Sequence, residues 1–200
     1  VKTMSETPQL TPVGKILSYN NAGFNVAGHI IEVTMGKPYY KIIKEKLFEP
    51  LKMNHTYLLP WEIMSYRFAV GHRLVDNTLF PATPWSIGVA SGPCGGIISC
   101  VKDLLKYAEF QLNDGVYNGK KLLNSNSMKS LHSPQVTYAP HFSVAHSFLV
   151  DDHRGTVTLS HGGGTVGQIS RLTIVPENNF AIILLTNSGG GGQLNIRATN

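Results

Sequence analysis

The chain has 200 residues, of which 42% are hydrophobic, and it carries a formal net charge of +5. This length and composition suit one folded domain with a substantial core, and no window is apolar enough to span a bilayer. The basic residues are scattered apart from a group that suits a solvated helix face, Lys37, Lys41, Lys44 and Lys46. Because no aromatic-basic pattern accompanies the charge, no nucleic-acid partner is expected.

The first part of the chain predicts two helices. Residues 21–35 carry apolar side chains at helical spacing, with Asn20 or Asn21 available as the N-cap and Gly36 as the terminator. A second helix is predicted from Pro38 onward, because proline suits the first helical turn. The two helices should form a tight hairpin.

The middle of the chain predicts a β-hairpin and then a helix. Residues 68–80 form two β-like runs joined by a tight turn at Asp76 and Asn77. The periodicity then predicts a helix over residues 101–112, and Ser99 is placed to cap it.

Beyond a shorter helix near residues 125–131, the pattern becomes β-like. Four runs are predicted as strands: 143–150, 156–161, 168–175 and 180–187. Turn residues between them, including the glycines at 162–164, make an antiparallel meander the simplest arrangement. The glycines at 189–192 are expected to form a flexible tip.

Three polar residues are candidates for chemistry. His161 ends a β-like run beside glycines that allow close backbone approach, and Tyr19 and Asn21 lie at the start of the first predicted helix. Taken singly, each has an ordinary structural role as a turn, packing or capping residue. Their order and context give them more weight.

Several stretches match one family's pattern in order along the chain. They are SYNNAGFN at 18–25, GHIIE at 28–32, LFEPLKM at 47–53, PCGGIIS at 93–99, HGGG at 161–164, VPE at 175–177 and ILLTN at 183–187. Together they resemble the serine β-lactamase and penicillin-binding-protein superfamily, and most closely its class C β-lactamase-like serine hydrolases. The resemblance runs from about residue 11 to residue 192.

The resemblance implies a role for each candidate residue. Tyr19 matches the tyrosine of a Tyr-x-Asn motif that assists proton transfer, and Asn21 matches its substrate-orienting amide. The place of the family's Lys-Thr-Gly motif is taken by His161, Gly162 and Gly163. The backbone N–H of Gly164 then matches an oxyanion-hole donor. Although Tyr19 and His161 are far apart in the sequence, the resemblance implies that both line one cleft, with Asn21 at its edge.

The resemblance also implies a fold and a reaction. The fold is an α/β (α+β) arrangement in which helices cover an antiparallel sheet beside a helical region, and residues 1–200 are a single partial domain whose N-terminal part is missing. The substrate is a small-molecule ester, peptide or other amide, or β-lactam, hydrolysed through an acyl-serine intermediate. No cofactor is implied, and the histidines show no metal-binding spacing.

The nucleophile is not where the resemblance places it. The family's Ser-x-x-Lys motif precedes Tyr-x-Asn, and none of the 18 residues before Tyr19 forms it. The one literal match, from Ser99 to Lys102, comes after Tyr-x-Asn, where Ser99 is expected to be a helix cap. We therefore expect a separate N-terminal segment to carry the nucleophile and this chain alone to be inactive. A non-catalytic ligand-binding or sensor module of the same fold stays open as the alternative.

The candidate residues also predict a substrate preference. A histidine side chain is usually neutral at pH 7, and Gly162 has no side chain. In the family that the chain resembles, the lysine and threonine of Lys-Thr-Gly offer a cation and a hydroxyl to the carboxylate of a β-lactam. Here the cation is weakened and the hydroxyl is lost. Short esters or small peptides are expected to be better substrates than β-lactam antibiotics.

Overall fold

In the computed structural model, which describes Met4 and residues 6–199, helices cover an antiparallel sheet that adjoins a helical region. The helices are α1 (Asn21–Met35), α2 (Tyr39–Ile43), α3 (Gly92–Gly95), α4 (Val101–Leu112), α5 (Ser125–His132) and α6 (Gly191–Thr199). The strands are β1 (His72–Val75), β2 (Thr78–Pro81), β3 (Val116–Tyr117), β4 (Lys120–Lys121), β5 (Val136–Ala139), β6 (Phe142–Val144), β7 (Leu149–Asp151), β8 (Thr158–Gly164), β9 (Ile169–Val175) and β10 (Phe180–Thr186).

Helix α1 has the predicted bounds. Asn20 is its N-cap and accepts hydrogen bonds from the N–H groups of Ala22 and Gly23, while Gly36 ends it in the left-handed conformation. The second predicted helix is also formed, as α2 together with the turn that continues it. After α2 the backbone widens into a π-helical turn, Lys44–Phe48, which brings Phe48 into the core of the helical region.

The hairpin of β1 and β2 turns at Asp76 and Asn77, as predicted, and both residues have positive φ. Strand β1 begins only at His72, so the first part of the predicted run is not a strand. Helix α4 also has the predicted bounds.

The sheet contains six strands in a meander, two more than predicted. The predicted run at 143–150 is two strands, β6 and β7, because a turn closed by the N–H of Ala145 and the carbonyl of Phe148 interrupts it. Strand β5 was not predicted. The glycines at 162–164 are not a turn: they extend β8, and the turn follows at residues 165–168.

Helices pack on both faces of this sheet. Leu112 of α4 lies against the face that carries Leu159 and Ile174, the most buried side chains of the sheet. Gly191 of α6 lies against Thr186 on the opposite face. The expected tip at 189–192 is formed only in part: residues 189 and 190 are an exposed turn, whereas Gly191 is buried and begins α6. Among the described residues, no helix has the length and apolar character needed to cross a membrane.

Candidate active site

The last residues of β8 form an edge that is paired on one side only. Strand β9 pairs with β8 as far as Gly164, whereas β7 begins at Leu149, opposite Ser160, and reaches no farther along β8. Within the part of the chain that the structure describes, no other strand pairs with residues 161–164.

The ladder pattern shows which backbone groups point to this edge. In an antiparallel pair, successive residues direct their N–H and C=O groups alternately toward and away from the neighbouring strand. The N–H of Thr165 donates to the carbonyl of Gln168, which places Thr165 toward β9. The N–H groups of Gly164 and Gly162 therefore point away from β9, into the open edge. An oxyanion donor has to be free in this way.

His161 lies on the sheet face that carries Leu159, by the alternation of side chains along a strand. Its Nδ1 lies 2.6 Å from the carbonyl oxygen of Gly162. A carbonyl can only accept, so Nδ1 carries the proton and, in the neutral ring, Nε2 is left as an acceptor. This bond fixes both the ring orientation and the tautomer.

Tyr19 lies beside this imidazole. The centroids of the Tyr19 and His161 rings are 6.2 Å apart, with their planes inclined by 34°. Asn20 caps α1 and Asn21 is its first residue, so the start of the helix fixes the backbone at Asn21. The structure therefore brings together Tyr19 and His161, which are far apart in the sequence. Asn21 is exposed nearby.

The three glycines of the edge differ in their surroundings. A Cβ at Gly162 would meet only the carbonyl oxygen of Ser170, at an ordinary 3.6 Å. A Cβ at Gly163 would overlap the Ser170 hydroxyl, so a side chain here requires that hydroxyl to turn away. At Gly164 the nearest atom would be the Cδ1 of Ile169, at 3.6 Å. Space is therefore open above Gly162, whereas at Gly163 the Ser170 hydroxyl occupies it.

Comparison with known proteins places the chain in a family. The Beta-lactamase family matches residues 1–199, nearly the whole chain. The chain belongs to the Beta-lactamase family.

This family member spans about half the length of the three proteins compared with it. Penicillin-binding protein 4 of Amycolatopsis lactamdurans is 27% identical over 197 residues, which cover 94% of this chain and 52% of that protein. The octameric penicillin-binding protein homologue from Pyrococcus abyssi superposes with a TM-score of 0.80 at 23% identity, covering 93% of this chain and 42% of that one. A class C beta lactamase from Rhodobacter sphaeroides gives 0.76 at 18%, covering 91% and 58%. These two structures show the same fold.

Ser99 does not cap α4, so that prediction is wrong. Cys100 occupies the N-cap position without a side-chain hydrogen bond, and the Ser99 hydroxyl instead lies 2.8 Å from that of Thr56. Lys102 is exposed and is not among the partners of Ser99. The literal Ser-x-x-Lys match in this family member is therefore not a serine–lysine pair.

The buried Asp103 side chain connects the start of α4 to residues 55–56. Its carboxylate accepts hydrogen bonds from the N–H of His55, the hydroxyl of Thr56 and the ammonium of Lys106. Burial opposes its ionisation, but these donors outweigh burial and hold the pKa of Asp103 below its ordinary value. The arrangement gives Thr56, and through it Ser99, a structural role.

Two polar residues near the glycine edge were not predicted to matter to the site. Gln168 and Asn187 each donate from the side-chain amide to the backbone of residues 69–70, which cross the end of the sheet. Only the pair of glycines at 71 and 167 hints at this contact in the sequence, since glycine allows close backbone approach. No group of three or more potential metal ligands occurs within Met4 and residues 6–199.

Proposed function

We propose that this chain forms the substrate-binding wall of a serine hydrolase that acts on an ester, an amide or a lactam. The observation that carries the proposal is the adjacency of the Tyr19 and His161 rings beside the open N–H edge of β8. Membership of the Beta-lactamase family favours the same reaction class. The chain covers 52% of the curated relative penicillin-binding protein 4 from Amycolatopsis lactamdurans, and in this proposal the remaining catalytic residues lie outside these 200 residues.

The geometry suits acyl transfer through an acyl-serine intermediate. A serine hydroxyl attacks a carbonyl only when a base takes its proton, and the oxyanion that forms needs fixed donors. The N–H of Gly164 is the donor at the edge. Tyr19 and the free Nε2 of His161 are the groups placed to move protons, and Asn21 orients the substrate amide or carbonyl.

The nucleophile has to come from residues other than these 200. A separate N-terminal segment with a Ser-x-x-Lys motif would supply both the serine and its base. In this proposal Gly162 and Gly163 form the floor of the substrate cleft, where the open space above Gly162 admits a substrate group.

Labelling with a serine-directed fluorophosphonate tests the proposal. The 200-residue chain should gain no mass, whereas a longer product of the same gene with Ser-x-x-Lys ahead of Tyr19 should gain one label on that serine. Stoichiometric labelling of the 200-residue chain would contradict the assignment. Ser99→Ala is a control, since it should leave labelling of the longer product unchanged.

A second candidate function is a non-catalytic ligand-binding or sensor module. It is favoured by the lack of Ser-x-x-Lys before Tyr19, which the hydrolase proposal instead attributes to a separate N-terminal segment. The coding sequence upstream of Val1 discriminates between them. A Ser-x-x-Lys motif there favours the enzyme, and an upstream sequence of the same family without it favours the binding module.

The proposed substrate preference is for short esters or small peptides over β-lactams. Each charge-assisted hydrogen bond to a carboxylate is worth roughly 1.5–3 kcal/mol, so the loss of one or two lowers kcat/KM for a lactam by roughly ten- to ten-thousandfold. In an active form, kcat/KM for a nitrophenyl ester should exceed that for a chromogenic cephalosporin. His161→Lys with Gly162→Thr should shift this ratio toward the lactam, and Gly162 has room for the added side chain. A cephalosporin value above the ester value in the unaltered protein would contradict the preference.

A further inference from the structure

Residues 69–72, here called the strap, cross the end of the sheet next to the β8–β9 turn. The carbonyl of Ala69 accepts from Nε2 of Gln168 at 2.7 Å, and that of Val70 accepts from Nδ2 of Asn187 at 3.2 Å. The next carbonyl, that of Gly71, accepts from the N–H of Ala82 at 2.7 Å. The side-chain amides of Gln168, just before β9, and of Asn187, just after β10, therefore hold the strap by its backbone.

The strap touches the turn at residues 165–168 backbone to backbone. A Cβ on Gly71 would overlap the carbonyl oxygen of Val166, and a Cβ on Gly167, whose φ is +68°, would lie 2.5 Å from the N–H nitrogen of His72. That same N–H donates to the carbonyl of Gly167 at 3.0 Å and to that of Asn187 at 2.8 Å. Both glycines are needed for this approach, because any side chain would separate the two segments.

The turn that the strap holds is the direct continuation of the open edge. Gly164 is followed at once by Thr165, whose N–H closes the turn on the carbonyl of Gln168 at 3.0 Å. The pairing of β7 with β8 stops at Ser160, so β7 does not support Gly164 from its other side. The position of the Gly164 N–H therefore depends on β9 and on the turn that the strap clamps.

We propose that Gln168 and Asn187 are positioning residues, which hold the Gly164 N–H in place through the strap and the β8–β9 turn. The inference rests on the proposed function, in which this N–H stabilises the oxyanion. Neither side chain touches the reacting atoms. Each acts by fixing a donor whose direction matters at the scale of a hydrogen bond.

The test replaces each amide with its isosteric acid in the 200-residue chain. Gln168→Glu and Asn187→Asp keep the shape but remove the N–H donor and set a carboxylate against a carbonyl. Gln135→Glu is the matched control, because Nε2 of Gln135 also donates to a backbone carbonyl, that of Ser133, but on the far side of the sheet.

The readout is the backbone order parameter of the Gly164 amide by NMR relaxation, beside the melting temperature. We expect about 0.85 in the unaltered chain and in Gln135→Glu, falling below about 0.6 in the two strap variants while Ile174 stays rigid. An unchanged Gly164 value in either folded strap variant overturns the proposal. Loss of the fold in both also overturns it, because the two residues would then hold the fold and not the site.

An activity readout separates this inference from the proposed function. In a form that hydrolyses a nitrophenyl ester, each strap variant should lower kcat tenfold or more with KM within about twofold, because the oxyanion bond forms in the transition state. A rise in KM with unchanged kcat would overturn the positioning role. If no form hydrolyses the ester, the proposed function fails, whereas the order parameters still decide whether the strap fixes Gly164.

Discussion

The two walls of the candidate site are built in different ways. His161 and the glycine edge belong to β8, which pairs with β9 from Leu159 to Gly164, and Ile174 of β9 is fully buried. Tyr19 precedes α1, whose one buried residue is Gly28, and Tyr19 itself is 70% exposed. One wall is fixed by a sheet, and the other depends on the start of a helix.

This difference assigns separate tasks to the two regions. The sheet wall can hold a hydrogen-bond donor at a defined position before substrate arrives, which is what oxyanion stabilisation requires. The α1 wall instead presents apolar side chains at its surface, among them Phe24 and Ile30. Packing should therefore limit substitutions in the sheet strongly and those on α1 weakly.

The largest expected effect compares the same substitution in both regions. Ile174→Ala removes a side chain with no exposed surface and should lower the free energy of unfolding by about 2–5 kcal/mol. Ile30→Ala, on α1 at 58% exposure, should change it by less than about 0.5 kcal/mol. Urea denaturation monitored by circular dichroism measures both. Equal losses would contradict the contrast between the two walls.

A smaller effect tests a close contact between α1 and α3. A Cβ on Gly28 would overlap the Pro93 ring of α3, so Gly28→Ala should cost about 1–3 kcal/mol. A Cβ on Gly23 of the same helix would meet nothing within 4 Å, so Gly23→Ala should stabilise by up to about 1 kcal/mol. Thermal unfolding of both variants checks the pair, and a stabilising Gly28→Ala would show that α1 does not pack against α3 here.

A cap substitution tests how Tyr19 is held. Asn20→Ala removes the acceptor for two N–H groups of α1 and should cost about 1 kcal/mol. Asn126→Ala, at an exposed position within α5, is the matched control and should stay within about 0.5 kcal/mol. Denaturant titration gives both values. No loss for Asn20→Ala would mean that the cap does not hold the start of α1.

The smallest expected effect is a dependence of stability on pH in the region away from α1. Burial lowers the pKa of His132, whose Nε2 lies 2.7 Å from Oε1 of Gln111. The unfolded chain then binds the proton first, so the free energy of unfolding should fall as the pH drops below about 6.5. His132→Gln should flatten this slope between pH 7.5 and 5.5, and an identical slope in the variant would exclude His132 as its source.

Local signals in the sequence were enough to predict α1 and α4, and family resemblance predicted part of the site. The bounds of α1 and α4 follow from apolar spacing, and the turn at Asp76 and Asn77 follows from residues that accept positive φ. The proximity of Tyr19 and His161 was expected from family resemblance, and the ring distance agrees with it. Their chemical roles stay a prediction.

The sequence failed where long-range contacts decide the local structure. The glycines at 162–164 favour a turn by composition, but pairing with β9 makes them a strand. Ser99 suits an N-cap, but its hydroxyl bonds Thr56, which belongs to the network around Asp103. The strap depends on Gln168 and Asn187, each about a hundred or more positions from the carbonyl it bonds, and no local pattern marks such a pair.

The central claim is that Tyr19 and His161, which are far apart in the sequence, form one site. The most direct measurement is the NMR shift of the His161 imidazole protons in the unaltered chain, in Tyr19→Ala and in the control Tyr66→Ala, whose ring lies beside His55 and Tyr57. Because the Tyr19 and His161 ring centroids are 6.2 Å apart, Tyr19→Ala should move the His161 resonances and Tyr66→Ala should leave them in place. His161 resonances that are identical in the unaltered chain and in folded Tyr19→Ala would contradict the account.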